Sequence, residues 1–340
     1  MTLSIDNKRS RYRFWLTLTL FLTFDLIVFG AYVRLSDSGL GCPDWPGCYS
    51  KFSPLQALEQ IRAEEALRPD GAVTHFKAWI EMIHRYVASG LGLLCIGLLV
   101  WAVRWRASAS NTSQGIQASV PLAAFTLVWI CIQGAFGAWT VTLKLMPAIV
   151  TLHLLGGMTL LALLTWQWVR MEGERVRVDL AGTQRAWLWA LLGVLVLQIA
   201  LGAWVSTNYA AMACTTFPLC QGQVVPPMDF AHGFSLWRDL GATKSGEWLP
   251  FPALVAIHWV HRSFAAVLIA VAVLTLVKLK PVEALKPYRR GIMAVLTLQI
   301  ATGLANVLLN YPLLAAVLHT AGAAALVFIL VRMLAMSRAN

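Results

Sequence analysis

Gly30–Cys48 reads GAYVRLSDSGLGCPDWPGC and Gly202–Cys220 reads GAWVSTNYAAMACTTFPLC, two stretches that match at Gly, Ala, Val, Cys, Pro and Cys without a gap, 172 residues apart. His84-Arg85 recurs as His261-Arg262 after 177 residues, and Gln133, Gly137, Val141, His153 and Gly156 recur as Gln299, Gly303, Val307, His319 and Gly322 after 166. An internal repeat of this kind decides the architecture first, because each copy is one structural unit that packs on the other. The offset changes between the matched blocks, in connections, where differences of length are tolerated.

Working outward, the matched segments border eight apolar blocks, near 14–33, 78–101, 119–141, 148–168, 185–205, 252–277, 291–309 and 313–333. A helix needs about 20 apolar residues to cross the hydrocarbon layer. The chain of 340 residues is 58% hydrophobic and 13% charged, against roughly one quarter charged in soluble domains. An all-α membrane protein of eight transmembrane helices is therefore expected, with nothing left over for a soluble domain. Four spans per half, 1–170 and 171–340, is an even number. Both halves would then enter the membrane in the same direction, as parallel four-helix-bundle repeats about a pseudo-twofold axis along the membrane normal. The basic stretch before the first span is read as the start of a retained helix, not a cleavable signal, because the run is long and its counterpart in the second half is internal.

A formal net charge of +11 raises the question of a nucleic-acid partner, and the positions of the cations answer it. Lys8, Arg9, Arg11 and Arg13 precede the first span, Arg104 and Arg106 follow the second, and Arg170, Arg175, Arg177 and Arg185 lie between the fourth and fifth. Lys278, Lys280, Lys286, Arg289 and Arg290 separate the sixth and seventh, and Arg332 and Arg338 follow the eighth. Every second loop is basic, which by the positive-inside rule puts both termini in the cytoplasm, as in a multi-pass protein of a bacterial-type inner membrane. The expected partner of the charge is the lipid bilayer, not nucleic acid.

Five of the seven histidines lie in or at the mouth of a span: His84, His153, His258, His261 and His319. Each comes a few residues after the start of a helix that begins on the outer side, within about 10 Å of that interface at 1.5 Å rise per residue. At matched depth, His84 can face His153 across one bundle and His261 can face His319 across the other, as the two axial ligands of a haem iron require. A single intramembrane histidine is as readily a hydrogen-bonding group between helices. Four at repeated positions favour ligation, since ionisable residues in the bilayer are rare and functional by default. Zinc is disfavoured because neither pair has a nearby Cys or acidic set to complete a tetrahedron.

Glu81 precedes His84 by three residues on the same helix face, where a carboxylate beside a haem can handle protons or, more plainly, cap a loop. Its counterpart is His258, so the repeat is chemically broken there, which suggests one reacting site and one supporting site. Cys42 and Cys48 lie in the first outer loop and Cys214 and Cys220 in the third. On the oxidising side these are expected to form disulfides, with metal binding the weaker alternative. Arg34, Arg85 and Arg262 near the outer edge are candidates for bidentate contact with haem propionates or for snorkelling to the interface. Asp25 lies inside the first span, with Leu197 at its counterpart.

The SGLGCPDWPGC segment, Glu81-Met82-Ile83-His84-Arg85, His153-Leu154-Leu155-Gly156-Gly157, His261-Arg262 and His319 together resemble the haem A synthase family, over nearly the whole chain. That family oxidises the C8 methyl group of haem O to a formyl group, giving haem A for terminal oxidases. The resemblance implies that His84 and His153 serve the substrate haem O, that Glu81 takes part in the chemistry, and that His261 and His319 hold a resident haem b. The four outer cysteines favour the disulfide-bearing type of this family. Implied partners are haem O, the haem O synthase, an electron donor and further copies of the chain. The rival readings are a di-haem b-type transmembrane electron carrier, which needs the same histidines but not Glu81, and a haem transporter, which has no evident use for fixed histidine pairs.

Overall fold

In the computed structural model, residues 5–107, 118–173 and 177–339 are described; Arg175 of the basic connection lies outside them. The first half runs α1 (Ile5–Leu35), α2 (Leu58–Leu67), α3 (His75–Ala107), α4 (Val120–Thr142) and α5 (Pro147–Glu172). After β1 (Val178–Leu180), the second half runs α6 (Gly182–Thr207), α7 (Phe230–Gly233), α8 (Phe251–Lys278), α9 (Lys286–Leu308), α10 (Leu313–Met336) and β2 (Ser337–Ala339). Among the described residues, eight helices are long and apolar enough to cross a membrane, as the apolar blocks require. The short α2 and α7 lie in the two long loops. Proline opens α4, α5, α8 and α9 within their first two positions, where its missing N–H costs no helical hydrogen bond.

The α4–α5 and α9–α10 turns are built alike. Lys144 and Leu145 adopt left-handed backbone in the first, and Asn310 and Tyr311, at equal places in the repeat, do so in the second. Asp37 and Tyr209, which also occupy equal places, are both left-handed at the ends of α1 and α6. These two residues meet, with Tyr209 Oη donating to Asp37 Oδ1 at 2.6 Å. One turn earlier, Arg34 Nη2 donates to the carbonyl of its own counterpart, Ser206, at 2.7 Å.

Helices α1, α5, α6 and α10 pack against one another in the middle; α3 and α4 flank one side, and α8 and α9 the other. One apolar core runs through both halves, from Tyr12, Leu16 and Leu161 to Leu188, Leu195 and Leu330. The flanks differ. Helices α3 and α4 pack directly, whereas α8 and α9 scarcely meet. At the end that carries both termini, the Glu172 carboxylate pairs with Arg332 at 3.1 Å and Arg13 at 3.7 Å. Arg9 donates to the Met171 and Glu172 carbonyls, and β1 and β2 pair in parallel there. Asp25 is exposed on α1 and Leu197 on α6, so the acidic residue faces outward, away from the bundle interior. Of the two remaining cysteines, Cys95 is buried as a packing residue should be and Cys131 is exposed.

Candidate functional site

The four repeated histidines sit at the other end of the bundle, and each ring rests on a glycine of a neighbouring helix. A Cβ at Gly30 of α1 would stand 3.0 Å from His84 Nε2, and one at Gly202 of α6 would stand 2.9 Å from His261 Cε1. A Cβ at Gly137 of α4 would meet His153 Cε1 at 3.4 Å, and one at Gly303 of α9 would meet His319 Cε1 at 3.3 Å. The missing side chains thus form four equivalent seats. His84 and His153 lie within electrostatic reach of each other, as do His261 and His319. Among the described residues, no cluster of three or more His, Cys, Asp or Glu forms anywhere. The donor set is two imidazoles per bundle, the number that a porphyrin iron leaves open and fewer than a bare zinc ion takes. His153 Nδ1 is buried without a hydrogen-bond partner. On these observations the residues fit a haem in each half.

Above each pair lies a loop closed by a disulfide, Cys42–Cys48 in the first half and Cys214–Cys220 in the second. Both are packed into small apolar clusters against the first turns of α3 and α8, with Ala78 and Met82 in one case and Val255 in the other. Thiol labelling without reductant is expected to leave all four of these cysteines unmodified, with Cys131 the accessible thiol. Modification of all four would show that the protein carries them reduced.

The arginines after the histidines hold these loops. Arg85 Nη1 donates to the carbonyls of Asp44, Pro46 and Gly47 at 2.9, 3.3 and 2.7 Å. Arg262 makes the matching set in the second half, to Thr216 at 2.9 Å, Pro218 at 3.3 Å and Leu219 at 3.5 Å. Arg34 is engaged by Ser206, by Asp37 at 3.4 Å and by the Tyr209 ring, whose centroid is 4.1 Å away. All three guanidinium groups therefore have protein partners, a use that the sequence does not reveal because carbonyl positions depend on how a loop folds back.

Glu81 is 4% exposed, pairs with Arg85, and accepts the Cys42 N–H on Oε2 at 2.8 Å. His258 occupies the same place in the second half, where its Nδ1 accepts the Cys214 N–H at 3.2 Å. Both residues fasten the first cysteine of a loop to the helix below. His258 is thereby turned toward the loop, not toward the pair formed by His261 and His319.

The histidines of the second bundle have side-chain partners that those of the first lack. Gln198 Nε2 lies 3.2 Å from His261 Nδ1, and Thr302 Oγ1 lies 2.9 Å from His319 Nδ1. Sequence reasoning missed both, although the repeat could have flagged them: their counterparts are Leu26 and Phe136.

Residues 13–331 match the COX15-CtaA family, described as cytochrome oxidase assembly protein. A protein of Shewanella oneidensis named heme A synthase is 38% identical over 318 residues, covering 93% of each chain. Another of that name from Caulobacter vibrioides is 27% identical over 357 residues, covering 96% of each. A third, from Symbiobacterium thermophilum, is 31% identical over 228 residues, covering 64% of this chain and 66% of its own. The chain belongs to the COX15-CtaA family of cytochrome oxidase assembly proteins, to which it is joined along nearly its whole length.

Proposed function

We propose that this protein is a haem A synthase, a membrane oxidoreductase that converts the C8 methyl group of haem O to a formyl group. The observation that carries the reading is the equal seating of His84, His153, His261 and His319 on four repeated glycines, in a chain whose relatives are named heme A synthase. The halves 1–170 and 171–340 act as two parallel units, with the pseudo-twofold axis passing where Arg34 meets Ser206 and Asp37 meets Tyr209. His84 and His153 hold the substrate haem O, and His261 and His319 hold a resident haem b. Both sites lie toward the outer face of a bacterial-type inner membrane, with the termini in the cytoplasm.

Haem b supplies electron-transfer chemistry when bound, and the chain's own groups do the rest. The imidazoles orient the substrate ring, while the disulfide-closed loop, clamped by Arg85, covers it. Written as a half-reaction, –CH3 + H2O → –CHO + 4 H+ + 4 e−, conversion of the methyl group to the aldehyde releases four protons and passes four electrons to an external acceptor. Glu81, three residues before His84 and bound to the loop above it, is the carboxylate assigned to accept one of these protons. Haem O synthase and an external redox partner are the partners this role requires, and further copies of the chain complete the candidate set.

The test is pigment extraction from cells that express this chain together with a source of haem O. Haem A is expected. Unaltered haem O alongside bound haem b would instead establish the di-haem electron carrier. That second reading has one observation in its favour: His258 does in the second half the fastening that Glu81 does in the first, so the carboxylate has a use without chemistry.

A further inference from the structure

The two histidine pairs are seated alike, yet two side-chain contacts separate them, Gln198 on His261 at 3.2 Å and the shorter one of Thr302 on His319 at 2.9 Å. Thr302 of α9 is 6% exposed, and its hydroxyl donates to the Leu298 carbonyl one helical turn back, at 2.8 Å. That commits the hydroxyl proton. With its proton on a helix carbonyl, that of Leu298 or of Gln299 at 3.3 Å, the oxygen meets His319 Nδ1, 2.9 Å away, as an acceptor, the arrangement in which Nδ1 carries the ring hydrogen and the Nε2 lone pair is free. Thr302 directly precedes Gly303, the seat of the same ring, so one helical step supplies both the space and the acceptor.

At the equal place in the first half, Phe136 precedes Gly137. Its ring packs edge-on against Trp139, with centroids 5.2 Å apart, and offers no acceptor, so His153 has no side-chain partner and only the Gln133 backbone nearby, as His319 has that of Gln299. A hydrogen bond accepted from the second ring nitrogen sets the tautomer and the ring orientation of a metal-binding histidine and raises its basicity. Without that bond, no side chain selects the tautomer of the ring.

We infer that Thr302 is a positioning residue that holds His319 in its iron-binding tautomer, a hold that Phe136 does not give His153, so that the second bundle keeps its haem more firmly than the first. The inference rests on the haem reading above. It also gives that reading a physical reason: a substrate must leave after each turnover, whereas a resident cofactor must stay. A more basic ligand favours ferric over ferrous iron, so the lock also holds the resident haem at a lower midpoint potential.

The experiment compares purified Thr302→Val, which keeps the shape and removes the acceptor, with Thr302→Ser, which keeps the hydroxyl. Two properties are read, the midpoint potential of the bound haem b and its rate of transfer to apomyoglobin. In Thr302→Val the potential is expected to rise and the transfer to quicken, while Thr302→Ser stays close to the parent protein on both. Parent-like potential and transfer rate in Thr302→Val overturn the inference, and so does an equal shift in both variants, which would mark a packing effect. His319→Ala, run alongside, keeps the two levels apart. Low-spin haem surviving in that variant sinks the haem assignment itself, whereas an unchanged Thr302→Val with haem lost from His319→Ala sinks only the lock.

Discussion

Purified His261→Ala and His319→Ala proteins are each expected to lack the low-spin haem b absorption of the parent. Each substitution removes one of the two imidazoles in the second bundle and leaves an iron with a single protein ligand, loosely held. The effect should be large in stability as well as in colour. A ligand present at about 1,000 times its dissociation constant stabilises a fold by about 4 kcal/mol, so both variants should melt well below the parent. His258→Ala is the informative control. Its ring accepts the Cys214 N–H and faces the loop, so that variant is expected to keep its haem. Unchanged low-spin absorption in both ligand variants would remove the resident haem from this half.

Glu81→Gln is expected to fold, to keep haem b on His261 and His319, and to accumulate haem O or a hydroxylated intermediate in place of haem A. Glutamine preserves size and can still accept the Cys42 N–H. Arg85 loses its anionic partner but retains three loop carbonyls. The cost to folding is that of one charged hydrogen bond, about 1.5–3 kcal/mol. Loss of a positioned proton acceptor, by contrast, typically slows a reaction about 10²–10⁴-fold, so chemistry should fail long before structure does. Glu81→His separates the two uses of this position, because it copies the arrangement that His258 already makes in the second half. It should hold the loop and still yield no haem A. Normal haem A yield from Glu81→Gln would show that the carboxylate is a loop fastener alone, and the enzymatic reading would then rest on kinship.

All eight spans were legible in the sequence because apolar length is a local property that needs no knowledge of partners. The matched residues that suggest a repeat are written in residue identity and need no structure to be seen. Pairing of the cysteines followed from their spacing and the side of the membrane on which they were expected. The glycines at 30, 137, 202 and 303 were visible as matched letters, but not as seats for imidazole rings, because seating depends on how closely two helices approach. The partners of Arg34, Arg85 and Arg262 were hidden for the same reason, since six of the carbonyls involved come from loops whose path is set by tertiary contacts. His258 stood out in the sequence as an oddity. It became intelligible only when it and Glu81 were seen to hold the same backbone N–H in their respective halves.

The Glu172 clasp bears on how the protein is made. The carboxylate leaves the ribosome at the end of the fourth span, with Arg13 already available, but its nearer cation, Arg332 at 3.1 Å, is translated 160 residues later. Val178–Leu180 likewise wait for Ser337–Ala339 before their strand can pair. The joint that these contacts make therefore closes only after the final helix has been threaded into the bilayer. Biogenesis then has a defined last step, and a chain stalled before α10 would present an unlatched first half, with Glu172 short of a partner, to the membrane's quality-control proteases.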